Sequence, residues 1–441
     1  MKGYFYLFLF FLQLISISTI AVAQNQDSLL QDASLENCVN YALKRQPAVQ
    51  QSLIDQQIAD REIKASLSDW LPQLNLTANY QNNFQIPSTK FGNQIVNIGA
   101  YNSSTVGFGL TQTIFDRDVL LAASSAKDVR TEFKQLAVST RIDVVANVSK
   151  AFYDVLLSQK QIELLDEDIV LLERTQRDSY NQYKSGIVDK TDYQRATISL
   201  NNSKAARKTA EEQLKSKYAT LKLMMGYPIM SPLRLVRDSA VMANEALSID
   251  TAEEVNYENR IEYQLLNTEK KLLEANLRYY KWGFLPSVSA FGQYNLNYYN
   301  SQFNQLFAEN FPNSYVGLSL SIPIFQGTKR LQQIKSAQLQ LNRMDYDFKA
   351  VRDSIYVQYT QSLSTYKSNL ANFFIQKDNL ALASDVYNVI QLQYRAGVKT
   401  YLDVVVANDN LFTAQINYVN SLYTVLMTRV DVQRALGTLQ Y

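Results

Sequence analysis

The chain contains no histidine. That removes the commonest zinc ligand and the usual general base beside a serine or cysteine nucleophile. Its single cysteine, Cys38, lies among apolar neighbours in LENCVNYAL. It reads as a small buried hydrophobe, and with no second thiol it closes no intramolecular disulfide. No phosphate-cradling glycine loop or metal-ligand spacing is present, and acidic pairs such as Glu211 and Glu212 fit solvated helix surface. Enzyme chemistry, a cofactor and a metal are therefore not expected. What remains is charge and hydrogen bonding around two similar segments, YKSGIVDKTDY at residues 183–193 and YRAGVKTYLDV at residues 394–404. Each holds a glycine, Gly186 or Gly397, where a positive φ turns the chain between two helices. Thr400 and Asp403 have capping-box spacing for the helix that follows, and Asp189 suits the cap of its counterpart, with Asp192 in the first turn.

The elements that hold those segments are long. Residues 118–184 and 328–396 contain neither proline nor glycine, and as helices each extends on the order of 100 Å. Apolar residues recur every seven positions, at Val148, Val155, Ile162 and Ile169 in the first and Ile334, Leu341, Phe348 and Ile355 in the second. Such seams call for coiled-coil partners. Ahead of each long helix the period drops to two. In VGLSLSIPIFQGTKRL (316–331), Val316, Leu318, Leu320, Ile322 and Ile324 alternate with Gly317, Ser319 and Ser321; VGFGLTQTIFDRDVLL (106–121) makes the same switch. LPQLNLTANYQ (71–81) and LPSVSAFGQYN (285–295) supply two more alternating strands. One face of these strands is apolar and the other polar yet almost uncharged, with Tyr80, Phe84, Tyr101, Tyr298 and Tyr299 near strand ends. Four strands of about 9 to 11 residues with aromatic girdles fit a membrane β-barrel better than a soluble sheet. A fourth motif pair, LKLMMG ending at Gly226 and VQRALG ending at Gly437, keeps nearly the same offset, so the chain reads as two copies of one unit.

The 441 residues carry a formal charge of +2 with both signs dispersed, so nucleic acid is not an expected partner. MKGYFYLFLFFLQLISISTIAVAQ has a basic start, an apolar run and Ala21-Val22-Ala23, the marks of a secretory signal peptide cleaved after Ala23. Beyond it no stretch resembles a membrane-spanning helix. Strands in hydrocarbon cannot leave backbone edges open, and four are too few to close a barrel, so several chains must share one.

LENCVNYALKRQP at residues 35–47, Leu71-Pro72, the strand ends Ile114-Phe115 and Ile324-Phe325, the glycine tips and RALGTL at residues 434–439 form an ordered set. With that set the chain resembles the TolC-like outer-membrane efflux channels over essentially its whole mature length. The resemblance implies an α+β membrane protein with long antiparallel coiled-coil helical hairpins and four transmembrane β-strands per chain. Three chains would close a twelve-stranded β-barrel and a periplasmic α-helical tunnel. The expected divisions are a signal peptide at 1–23, a first repeat at 24–226, a connector at 227–256 and a second repeat at 257–441. Strands are expected at about 72–84 and 104–115, then 286–299 and 314–324, with helical hairpins at about 118–225 and 328–437. The implied location is the outer membrane of a Gram-negative bacterium. The implied function is passive conduction of drugs, small molecules or secreted proteins in a tripartite efflux or type I secretion system. Its partners would be other copies in a homotrimer, a periplasmic adaptor, an inner-membrane transporter of the RND, ABC or MFS type, and outer-membrane lipid.

The resemblance also implies a periplasmic gate, with Tyr394 and Lys399 on one subunit against Thr191 and Asp192 on the next. Asp403 matches the first of two constricting aspartates, whereas Val406 stands where the second would be. Lys399 replaces a more usual arginine and lacks its planar fork. Gly186, Ile187, Val188, Gly397 and Val398 would meet the adaptor at the exposed tips. Capping alone and capping combined with gating both account for Asp192 and Asp403. The alternative is an exported coiled-coil protein that braces the envelope or adheres, which has no need of a lipid face and a polar lumen.

Overall fold

The computed structural model describes residue 30 and residues 33–236 and 254–440. The signal peptide expected at 1–23 lies outside them, as do residues 237–253 of the connector. Helices α1 (Leu35–Arg45) and α2 (Pro47–Ser68) lead into strand β1 (Gln73–Asn82). A short hairpin, β2 (Ser88–Phe91) and β3 (Gln94–Asn97), follows before β4 (Asn102–Phe115) runs back into α3 (Arg117–Lys184) and α4 (Lys190–Met225). The second half runs α5 (Ile261–Trp282), β5 (Ser287–Asn300), β6 (Phe311–Ser321), α6 (Lys329–Arg395) and α7 (Tyr401–Leu436), without a counterpart of the β2–β3 hairpin among the described residues.

Strands β1, β4, β5 and β6 form one antiparallel sheet in that order, with β1 and β6 at its edges. The pairing register keeps like with like. Leu76 faces Phe108, which faces Tyr294, and Ala290 faces Leu318. On the other face Thr77 meets Gly107, Thr105 meets Asn297, and Asn295 meets Asn313. Because side chains alternate sides, this register gives the sheet one apolar and one polar surface. None of its four strands contains Asp, Glu, Lys or Arg. The sequence alternation runs on to Ile324, but the ladder ends at Ser321. Pro323 has no N–H to donate and cannot extend it.

Each sheet strand continues into a helix, and the helices keep the strand order. Helix α2 packs on α3, α3 on α5, and α5 on α6. Helices α3 and α6 span 68 and 67 residues, on the order of 100 Å at 1.5 Å per residue. Each folds back as an antiparallel hairpin with its 36-residue partner, α4 or α7. The tips of both hairpins thus lie at the far end from the sheet.

The core sits inside this helical body. Val148, Phe152, Val155 and Leu156 of α3 pack with Leu221 and Met225 of α4 and with Tyr423, Leu426 and Val430 of α7. Cys38 and Ala42 of α1 join them, and burial pushes the Cys38 thiol up to about 12, leaving it inert at neutral pH. In α6 the buried residues Ala337, Met344 and Ile355 belong to the heptad seam. A second stripe on the same helix, including Leu339, Tyr346, Ile375, Leu382 and Val389, is exposed. Among the described residues no helix is long and apolar enough to cross a membrane.

Candidate functional site

The two hairpin tips are built alike. The Gly186 N–H donates to the Tyr183 carbonyl at 3.0 Å and the Ile187 N–H to Gln182 at 2.9 Å. At the other tip Gly397 donates to Tyr394 and Val398 to Gln393, both at 2.9 Å. This double closure satisfies the last helix carbonyls and needs a left-handed residue, which the φ values of 76° and 75° at Gly186 and Gly397 supply. The turns leave Ile187 and Val398 72% and 73% exposed, while Val188 is half-buried. Two apolar side chains are thereby held out at the hairpin end of the chain.

Past the glycines, each returning helix is capped from its own sequence. Asp189 accepts from the Lys190 N–H at 3.0 Å, and Asp192 lies in the first turn of α4, 3.8 Å from Arg195. Thr191 is exposed beside it. Thr400 and Asp403 form a reciprocal capping box: the Asp403 carboxylate accepts from the Thr400 N–H at 2.9 Å and from its hydroxyl at 2.8 Å. Lys399 Nζ lies 3.8 Å from the same carboxylate. The backbone hydrogen bond from Thr400, then its hydroxyl, holds the Asp403 carboxyl below the usual range, with Lys399 adding to this. Val406 is exposed one turn along α7.

Within one chain no hydrogen bond or ion pair joins Tyr394 or Lys399 to Thr191 or Asp192. Tyr394 instead donates to Gln182 Oε1 at 3.2 Å, and its ring stands edge-on to Tyr401 at 6.4 Å. Tyr401 is buried, its hydroxyl finds no hydrogen-bond partner of good geometry, and burial pushes its phenol up to about 12. On the other hairpin Tyr193 packs against Tyr180 at 5.1 Å and stacks on Tyr183 at 6.5 Å. Sequence reasoning missed Gln182 and Tyr401. The one available hint for Gln182 was its place before Tyr183, as Gln393 stands before Tyr394.

Farther up the hairpins Asp168 of α3 is buried, and it accepts from Ser203 of α4 at 2.7 Å and Asn408 of α7 at 3.0 Å. This network ties both hairpins together with polar groups, each donor satisfying the one carboxylate. Chemically the arrangement offers exposed apolar surface, hydrogen bonds and carboxylates at the hairpin tips. It assembles no nucleophile with a base, and no group of metal ligands occurs among the described residues.

The sequence matches the outer membrane efflux protein family over residues 38–227 and 264–438. It is 24% identical over 447 aligned positions to the outer membrane protein TolC of Salmonella enteritidis, covering 97% of this chain and 85% of that one. Among solved structures, the Campylobacter jejuni CmeC outer membrane channel superposes with a TM-score of 0.72 at 15% identity, covering 92% of this chain and 85% of the other. The outer membrane protein VceC of Vibrio cholerae gives a TM-score of 0.69 at 15% identity, with coverage of 91% and 96%. The helical hairpins, the two-faced sheet and these matches agree: the chain belongs to the outer membrane efflux protein family, the TolC-like channels.

Proposed function

We propose that three copies of this chain close one twelve-stranded barrel through the outer membrane, continued into the periplasm by a tunnel of helical hairpins. The observation that carries the reading is the uncharged sheet with one apolar face, one polar face and two open edges. Its four strands alternate in direction, so the edge strands β1 and β6 run oppositely. Strand β6 of one copy can therefore pair antiparallel with β1 of the next, and the same contact repeats around a closed ring. Closure removes the edges that hydrocarbon does not tolerate, and four strands alone fall short of the about eight that the smallest barrels use. The exposed apolar stripe on α6 supports a second helical contact along the same seam. The family match in two segments, 38–227 and 264–438, supports the division into two repeats around a connector.

The channel is passive and belongs to a tripartite efflux or type I secretion system. A periplasmic adaptor docks at Gly186, Ile187, Val188, Gly397 and Val398, and an inner-membrane transporter supplies the energy. The gate closes when Tyr394 and Lys399 engage Thr191 and Asp192 of the partner subunit, with Asp403 lining the entrance. Each such contact is worth about 1 kcal/mol, so the closed ring holds by a few and adaptor docking can overcome it. The test is to purify the full-length protein from the outer-membrane fraction and place it in planar bilayers. Heat-modifiable trimers with discrete conductance steps are the expected result. A soluble monomer that leaves the bilayer silent overturns the reading.

A further inference from the structure

Two arginines meet at the helix end of the sheet. Arg117 opens α3 directly after β4, and Arg330 lies in the first turn of α6 after β6. Both reach Gly283, in the link between α5 and β5: a β-carbon there would lie 2.7 Å from Arg117 Nη1 and 3.3 Å from Arg330 Nε. The two guanidinium groups are therefore no farther apart than those distances together allow. Gly283 has an ordinary helical φ of −57°, so it serves here for room and not for conformation.

Arg330 is not neutralised by a close carboxylate, and Arg117 has one long ion pair, to exposed Asp118. Arg330 is 8% exposed, its Nε is buried without a hydrogen-bond partner, and among the described residues no carboxylate pairs with it. Its guanidinium stacks over the Phe284 ring at 4.3 Å. Arg117 stacks over Tyr279 at 4.5 Å, and its carboxylate neighbour, Asp118, stands 4.0 Å away while also engaging Tyr279. Helix α6 adds to the positive potential. Thr328 gives it no side-chain cap, whereas Asp116 caps α3 and Thr400 caps α7. Its first N–H groups thus receive no side-chain cap from Thr328, at the positive end of a long helix.

A buried cation is costly unless an anion complements it, and paired guanidinium forks suit phosphate. Exposed apolar side chains adjoin the arginines: Phe284, 55% exposed, lies under Arg330, and Ile324 and Phe325, 93% and 86% exposed, stand in the link from β6 to α6 just ahead of it. Phosphate chemistry beside exposed hydrocarbon is the signature of a phospholipid. We propose that this junction binds the phosphate of a membrane phospholipid at the periplasmic rim of the barrel. The headgroup sits on Arg117, Arg330 and the α6 N-terminus, and the acyl chains lie along Ile324 and Phe325. The proposal rests on the outer-membrane channel reading given above.

The test uses the full-length trimer in detergent, exposed to micelles containing phosphatidylglycerol and weighed by native mass spectrometry. The expected result is lipid retained in each subunit, with Arg330→Gln lowering retention at least about tenfold, the scale of one charge-assisted hydrogen bond. Gly283→Ala places a methyl group 2.7 Å from Arg117 Nη1 and 3.0 Å from the Tyr280 carbonyl and should lower retention without removing either charge, while the trimer mass in the same spectra shows that each variant has folded and assembled. Lys367→Gln, at an exposed position far along α6, leaves retention unchanged. Full retention in both Arg330→Gln and Gly283→Ala overturns the site. Inorganic phosphate that displaces the lipid at equal concentration overturns the lipid as its occupant. Conductance of the same samples separates the two readings: a conducting trimer without lipid rejects this site alone, and a silent one rejects the channel.

Discussion

The Tyr394 hydroxyl on α6 donates to Gln182 Oε1 on α3 at 3.2 Å, pinning the two hairpins of one chain together just above their glycine turns. In the proposed channel, opening must accommodate this bond as well as the contacts between subunits. A tyrosine hydroxyl both donates and accepts, so the bond to Gln182 leaves it free to accept from a neighbour.

Removing the tyrosine hydroxyl and the lysine charge together should free the tips. Tyr394→Phe combined with Lys399→Ala is expected to raise single-channel conductance in planar bilayers. Each lost bond contributes about 1 kcal/mol per subunit, enough in triplicate to shift a closed–open equilibrium by an order of magnitude or more. Conductance indistinguishable from the parent protein rejects these residues as the gate.

The Asp168 network makes a different claim, about cohesion of the hairpins. Asn408→Leu removes a donor from a buried carboxylate at 3.0 Å, which costs about 1–3 kcal/mol. Limited proteolysis should then cut α7 faster while the sheet stays protected. Asp168→Asn combined with Asn408→Leu should recover part of the loss, because no charge remains buried. Equal protease resistance in all three proteins contradicts the assignment.

Charge selectivity should arise at the tips. The four sheet strands contain no Asp, Glu, Lys or Arg, so converging Asp403 carboxylates are the proposed source of a cation preference. Asp403→Ala should move the reversal potential toward that of an unselective pore. The pH dependence follows from the sign of the shift. Thr400 holds the Asp403 carboxyl below its usual range, so the charge, and the stability its capping box adds, persist down through about pH 4 and are lost only as pH falls further. Selectivity already gone at pH 5 counts against Asp403.

Tyr401 titrates at the opposite end. Its folded value is raised to about 12 by burial, so its contribution to stability is full below the free-tyrosine value of about 10 and lost as pH rises from there through 12. Tyr401→Phe deletes a buried hydroxyl whose contact with Ser179 falls short of a well-formed hydrogen bond. It should leave thermal stability at pH 7 within about 1 kcal/mol of the parent and flatten the alkaline decline. An alkaline decline as steep as the parent's places the titrating group elsewhere.

The large elements were legible for simple reasons. Some 67 residues without proline or glycine leave little but helix, and strict alternation over ten residues leaves little but a two-faced strand. The β2–β3 hairpin was not anticipated, since four residues per strand are too few to show a period and Pro87 and Gly92 break up the stretch. The end of β6 was obscured because Ile322 and Ile324 keep the alternation after Pro323 has stopped the ladder. At the tips, capping by Asp189, Thr400 and Asp403 is a local code and could be read directly. The bonds from Tyr394 to Gln182 and from Asn408 to Asp168 join residues more than two hundred positions apart. No local pattern marks such pairs. The meeting of Arg117 and Arg330 at Gly283 is hidden for the same reason, drawn from three separate segments.

The central claim is that edge strands of neighbouring copies pair. Cysteines placed at Thr77 in β1 and Ser319 in β6, with neighbouring polar-face positions scanned to find register, test it by oxidation in the outer membrane. Native Cys38 is buried and should not interfere. The account predicts that some pair yields covalent dimers and trimers on a non-reducing gel, with nothing larger. Monomers alone across the whole scan, or an open-ended ladder of higher species, would contradict it.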